Sequence, residues 1–109
     1  MVNKILTGAG FELNKTYKET RFLKPPKTSY CVYFDSIVRR GADSKNLIKE
    51  HSYTIELYAY TKDAEAEAKI EQALDEYAIP FEKLERNWLD SESLYQTVYN
   101  FDFIEKEEG

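Results

Sequence analysis

Residues 52–77 read SYTIELYAYTKDAEAEAKIEQALDEY, and the change of period inside this stretch decides the fold. Over 52–60 the residues alternate, with Tyr53, Ile55, Leu57 and Ala59 on one face and Thr54, Glu56, Tyr58 and Tyr60 on the other. After Thr61–Asp63, either end of which can cap a helix, the period lengthens. Glu65 and Glu67 suit the positive end of a helix dipole, and Ala66, Ile70, Leu74 and Tyr77 form an apolar stripe with Ala73 beside it. Glu65 and Lys69 support the wet side as an i,i+4 pair. The stretch therefore predicts a strand feeding an amphipathic helix that packs on a sheet. The second face of the strand, with two tyrosines and a carboxylate, is neither a clean core face nor a clean wet one.

Working outward, "SYCVYFDSIVRR" (29–40) alternates Tyr30, Val32, Phe34, Ser36 and Val38 against Cys31, Tyr33, Asp35, Ile37 and Arg39. Its β-branched and aromatic residues suit a pleated surface. "LYQTVYNFDFIE" (94–105) sets Tyr95, Thr97, Tyr99, Phe101 and Phe103 against Leu94, Gln96, Val98, Asn100, Asp102 and Ile104. Weaker alternation at 17–23 and 81–89 predicts two further strands, the first ended by Pro25 and Pro26, the second begun after Pro80. Residues 40–51 carry Gly, Asp, Ser and Asn and read as a loop joining two long strands. Gly8 and Gly10 leave residues 1–16 irregular or at most a short helix, and 105–109 read as a flexible acidic tail. The expected fold is a single α+β domain over 1–109, mainly antiparallel, in the order β-β-β-α-β-β, with one main helix on one face.

A chain of 109 residues buries about two-thirds of its unfolded surface, enough for one core without staples. With one cysteine and one histidine it has no internal disulfide and no structural zinc site. No stretch has the length of an export signal or a membrane-spanning helix, so the sequence reads as an unexported chain with no membrane partner. The net charge of −5 opposes specific nucleic-acid binding. The aromatic share of 15% is too high for a disordered acidic chain.

No residue pattern announces a catalytic, cofactor or metal site. His51 reads as a surface or strand-edge histidine. If the chain instead acts on a small ligand, His51 with Glu50 and Tyr53 is the candidate, yet no partner for a triad is evident. Cys31 lies inside a strand, where a free cysteine behaves as a small buried hydrophobe. Glu65, Glu67, Glu71 and Asp75 are explained by a solvated helix face rather than a metal. The "GAG" at 8–10 lacks the lysine and third glycine of a phosphate loop. The residues left over point to contact. Arg39, Arg40 and Lys45, interleaved with Asp43, are either loop solvation or complementary charge at a subunit interface. Glu56, Tyr58 and Tyr60 form a second candidate patch, since tyrosine joins large contact area to a polar handle.

In order and spacing, "FLKPPKTSYCVYFDS", "ADSKNLIKEHSYTIELYAYTKDAEAEAKIEQAL" and "FEKLERNWLDSESLYQTVYNFDF" resemble the tail-terminator, or tail-to-head joining, proteins of long-tailed phages and prophages of Gram-positive hosts. The likeness covers roughly 20–104 and carries no catalytic signature; the first twenty residues match least. It implies a non-enzymatic subunit, without cofactor, that forms a homo-oligomeric ring, a hexamer, on the end of the tail tube. Its partners would be itself, the tail tube protein and the head connector or stopper. It would be found in the bacterial host cytoplasm during assembly and in the neck of the virion. A head-completion or stopper protein and a stand-alone small-ligand-binding domain are the alternatives.

Overall fold

A computed structural model describes residues 1–40 and 46–108. In chain order they form α1 (Val2–Gly8), β1 (Tyr17–Glu19), β2 (Tyr30–Arg40), β3 (Asn46–Ala59), α2 (Ala64–Glu76), β4 (Glu82–Lys83), β5 (Asn87–Leu89) and β6 (Leu94–Glu108). The strands make one sheet in the order β1-β2-β3-β6-β4, with β5 also on β6. β1 runs parallel to β2, and the remaining pairs are antiparallel. The fold is thus α+β with two helices.

One face of the sheet carries both helices. Leu57, Ile55 and Tyr53 of β3, Cys31 of β2 and Tyr99 and Phe101 of β6 meet Ile70, Ala73 and Leu74 of α2 and Val2, Ile5 and Leu6 of α1. Fully burying an Ile, Leu or Phe side chain is worth roughly 1.5–3 kcal/mol, so this layer supplies most of the stability. Of the two expected caps, Thr61 and Asp63, it is Asp63 that caps α2, its carboxylate accepting from the Ala66 N–H at 3.0 Å, and Ser29 donates to the same carboxylate at 2.6 Å. The helix ends in a Schellman turn. Ile79 N–H reaches the Leu74 carbonyl at 3.0 Å and Ala78 N–H the Asp75 carbonyl at 2.9 Å, with Ala78 at φ 53°.

That turn corrects part of the expected stripe: Tyr77 is the C-cap and stands exposed, and Ile79 closes the core in its place. α1 forms despite its glycines because they fall at its end, where Gly10 takes φ 97°. The strand at 17–23 stops at Glu19. The one expected at 81–89 is two short pieces, with Glu85 and Arg86 released between them. Of the loop placed at 40–51, residues 46–51 are strand and 41–45 lie outside the described residues; of the tail placed at 105–109, residues 105–108 are strand. β3 starts at Asn46 and β6 runs to Glu108, and these two polar ends pair with each other, Asn46 opposite Glu108 and Lys49 opposite Glu105. Polar residues on both sides hid a ladder that the backbone completes. Three long strands thus extend past the helices as a ribbon, and the molecule measures 50 × 28 × 23 Å.

Candidate functional site

The ribbon is held by a three-strand clasp centred on His51, which is only 7% exposed. On β3 its ring lies between diagonal neighbours on the two flanking strands. Nδ1 faces both carboxylate oxygens of Asp35, at 3.0 and 3.2 Å, and Nε2 faces Oε2 of Glu105 at 3.0 Å. The ring stacks on Tyr53 at 5.2 Å and 5°, and Phe103 lies tilted beside it at 6.3 Å and 47°. The two ring nitrogens thus bridge a carboxylate of β2 to a carboxylate of β6. The hydrogen bond from His51 is the main reason the Glu105 carboxyl is held below the usual glutamate range. His51 is therefore a buried, doubly partnered residue of a central strand, not the surface or edge histidine expected. Its partners lie 16 and 54 residues away, and only strand register brings them in.

This geometry ties β2, β3 and β6 together. The two carboxylates sit on opposite sides of the ring, and among the described residues no group of His, Cys, Asp and Glu is placed to hold a metal ion. Glu50, the expected neighbour in a small-ligand site, alternates to the other face of β3. Cys31 is fully buried, and burial pushes its thiol well above the ordinary value, disfavouring the thiolate a nucleophile requires.

A second buried network ties the other end of the helical layer to the sheet. Glu67, expected on a wet helix face, is 5% exposed. Its carboxylate accepts from Arg86 Nε at 2.7 Å, from Lys83 Nζ at 3.0 Å and from the Thr97 hydroxyl at 3.3 Å. Burial pushes the Glu67 carboxyl upward, but the Arg86 and Lys83 hydrogen bonds outweigh it and hold the group below its ordinary value. Tyr99, wholly buried, donates to Glu71 at 2.9 Å, and Lys83 joins Glu71 at 3.0 Å. The released residues between β4 and β5 deliver Arg86 to Glu67.

The face without helices has two parts. At the β1 end it is covered by the chain itself. Tyr60 donates to the Pro26 carbonyl at 2.9 Å, and Phe22 packs edge-on against Tyr30 at 5.5 Å. Tyr58 stacks on Tyr30 at 5.3 Å, donates to Glu56 at 2.9 Å and accepts from Gln96 at 2.9 Å. Burial and the Glu56 hydrogen bond push the Tyr58 phenol up to about 12, so it stays neutral. Between these residues lies a hollow of about 220 Å³ lined by Phe22, Pro25, Tyr30, Val32, Tyr58 and Leu94. At the ribbon end the same face is bare. Phe34 is 40%, Val38 52% and Ile104 57% exposed, and Ile37 on the opposite face is 49% exposed.

The expected interface residues consequently fall in different places. Glu56, Tyr58 and Tyr60 share the helix-free face near the body, where Glu56 and Tyr58 are half-buried and internally bonded. Arg39 and Arg40 end β2, opposite Lys49 and Ile48 of β3. Tyr30 pairs with Tyr58, so the arginines stand about 30 Å along the strand from it, at about 3.3 Å per residue. Asp43 and Lys45 lie outside the described residues. Alternation tells a face from its opposite but not how far each face is covered: Ile37 is exposed where the helices stop, and Phe34, Val38 and Ile104 are exposed beyond the reach of Phe22 and Pro26 on the helix-free face.

No protein-family model and no curated protein matches the chain. Among solved structures it is similar to a chain from work on heme redox potential modulated by protein-induced porphyrin distortion, at 14% identity and TM-score 0.36, covering 63% of this chain and 36% of that one. A second, from work probing heme distortion in the H-NOX family, has 15% identity and TM-score 0.38, covering 63% and 34%. The chain spans about a third of the length of these structures, and at such scores the likeness carries no argument about its activity.

Proposed function

We propose that the chain is a structural subunit of a long-tailed phage neck, a tail terminator that assembles as a ring, a hexamer, on the end of the tail tube and meets the head connector. The reading rests on the sequence resemblance, and the projecting ribbon with its bare apolar residues supports it. A subunit whose work is contact needs extended strands that outlive their own core, and the His51 clasp stiffens them without creating a reactive centre. A head-to-tail contact between unlike patches closes such a ring. The net charge of −5 would let DNA traverse the ring without adsorbing.

Capture by tail tube protein tests this directly: the chain should co-sediment with assembled tubes and not with portal or head particles. Capture by heads alone would assign it to head completion, and duplex-DNA binding at physiological salt would remove the charge argument. Arg40→Glu should abolish ring formation with the circular dichroism spectrum unchanged. Normal assembly by that variant would exclude the β2 end from the contact.

A further inference from the structure

Among the described residues the ribbon is open on both sides. β1 pairs with β2 only over Cys31–Tyr33, and among the described residues nothing pairs with Phe34–Arg40 on that side. On the far side β5 and β4 pair with β6 only as far as Asn100, and among the described residues nothing pairs with Phe101–Glu108. Two free edges of seven and eight residues thus leave the body at matching heights, since Phe34, Thr54 and Asn100 share one row. An unpaired edge that is long and apolar is a template for another strand, and natural sheets usually blunt it with bulges, prolines or charges. Here the residues from 34 to 38 include Phe34, Ile37 and Val38, and the one charge pointing inward, Asp35, is already taken up by His51.

We infer that the two edges are partners: the Phe34–Arg40 edge of one copy adds to the Phe101–Glu108 edge of the next, continuing one sheet from subunit to subunit. This deepens the ring reading above and rests on it for closure. Three observations select a second copy, head to tail, as the occupant. First, β2 and β6 both run antiparallel to β3 and hence parallel to each other, so a sheet continued by rotation pairs β6 with the next β2 in parallel.

Second, the edges are opposite in charge. Residues 34–40 hold one carboxylate and two guanidiniums, whereas 101–108 hold Asp102, Glu105, Glu107 and Glu108 against the single Lys106. Pairing β6 with β6 would set carboxylates against one another, and pairing β2 with β2 would leave β6 bare. Third, row-by-row continuation lays Ile37 beside Phe103 on one face and Val38 beside Ile104 on the other, with Arg39 beside Glu105. Apolar residues then meet apolar ones on both faces, the arrangement that sets register in a sheet. Where β4 stops after pairing Glu82 with Asn100, a shallow groove of about 340 Å³ lined by Pro80, Phe81, Glu82, Asn100, Phe101 and Asp102 leaves room beside β6 for the incoming β2 from Asp35, in the row of Phe101.

Cross-linking of the full chain reads the pairing. Val38→Cys and Ile104→Cys are made singly, Cys31 being buried and silent, and are joined with a short bis-maleimide. Mixing the two variants should give at least tenfold more cross-linked dimer than either alone, and the double variant should give a ladder ending at the ring size. Val38→Lys or Ile104→Lys should return the chain to a monomer by light scattering while the fold persists. Cross-links dominated by 38–38 or 104–104 would overturn the inference, as would a monomer with no cross-link at any concentration. The two readings fail separately. Cross-linking at 38–104 without capture by tail tubes would keep the edge pairing and discard the neck role, while capture without that cross-link would discard the edge pairing alone.

Discussion

Glu67→Gln removes one charge from the buried network and keeps its volume. In the wild type the carboxylate takes Arg86 Nε at 2.7 Å and Lys83 Nζ at 3.0 Å. A hydrogen bond to a charged group is worth about 1.5–3 kcal/mol net, against about 0.5–1.5 for a neutral one. The Arg86 and Lys83 side chains are 29% and 36% exposed, so water reclaims part of what they lose. Two bonds weakened by about 1 kcal/mol each give a loss of about 2 kcal/mol. For 109 residues the unfolding entropy is roughly 0.23 kcal/mol/K, so Tm should fall by about 9 °C.

The control is Glu65→Gln on the wet side of the same helix, where the 3.4 Å pair with Lys69 is 80% and 53% exposed on its two side chains. It should move Tm by about 2 °C or less. Calorimetric melts at low protein concentration, where oligomer linkage is minimal, measure both. Because Glu67 is held below its ordinary value of 4.5, its contribution is complete above that pH and disappears as pH falls through the lower folded-state value. The wild type should therefore lose more stability than Glu67→Gln on passing from pH 7 to pH 3. Equal shifts for the two variants at pH 7, or parallel acid curves, would show that the buried network contributes no more than a surface pair.

The remaining predictions concern other parts of the fold. His51→Phe keeps the stack on Tyr53 but removes both nitrogens; loss of the Asp35 hydrogen bond should cost about 1.5–3 kcal/mol. Amide exchange should rise over 34–40 and 101–105 and stay unchanged at Ile55 and Leu57, and uniform acceleration would contradict a local clasp. Ala78→Gly relieves a left-handed residue at the end of α2 and should stabilise by about 0.5–1 kcal/mol, the relief of about 1–2 kcal/mol exceeding the entropic loss. A lowered urea midpoint would refute it. The Cys31 thiol should resist a disulfide reagent at pH 8 until the chain unfolds, and rapid labelling of the native protein would mean the core opens beside β2.

Much of the fold was legible because its signals are local. The alternation of Tyr53, Ile55, Leu57 and Ala59 marked the buried face of β3, and all four are buried. Asp63 was readable as a cap because capping is settled within three residues. Strand ends were not legible: "NLIKEH" and "EKEE" look like loop and tail until each becomes the other's ladder partner. Glu67 was mistaken for a solvated carboxylate because the cations that justify burying it come 16 and 19 residues later, from a stretch read as plain strand.

By itself the sequence determined the α+β class, the main helix, the core face of β3 and the buried state of Cys31, since each follows from periodicity within a dozen residues. Only the tertiary structure decided that Tyr58 is occupied by Tyr30, Glu56 and Gln96, that His51 links three strands, and that β2 and β6 leave the body with edges that nothing among the described residues pairs. These facts depend on which strand lies beside which and where the helices stop. Pairing of that kind is set by the balance of the whole core and the register of distant strands, which no local pattern encodes.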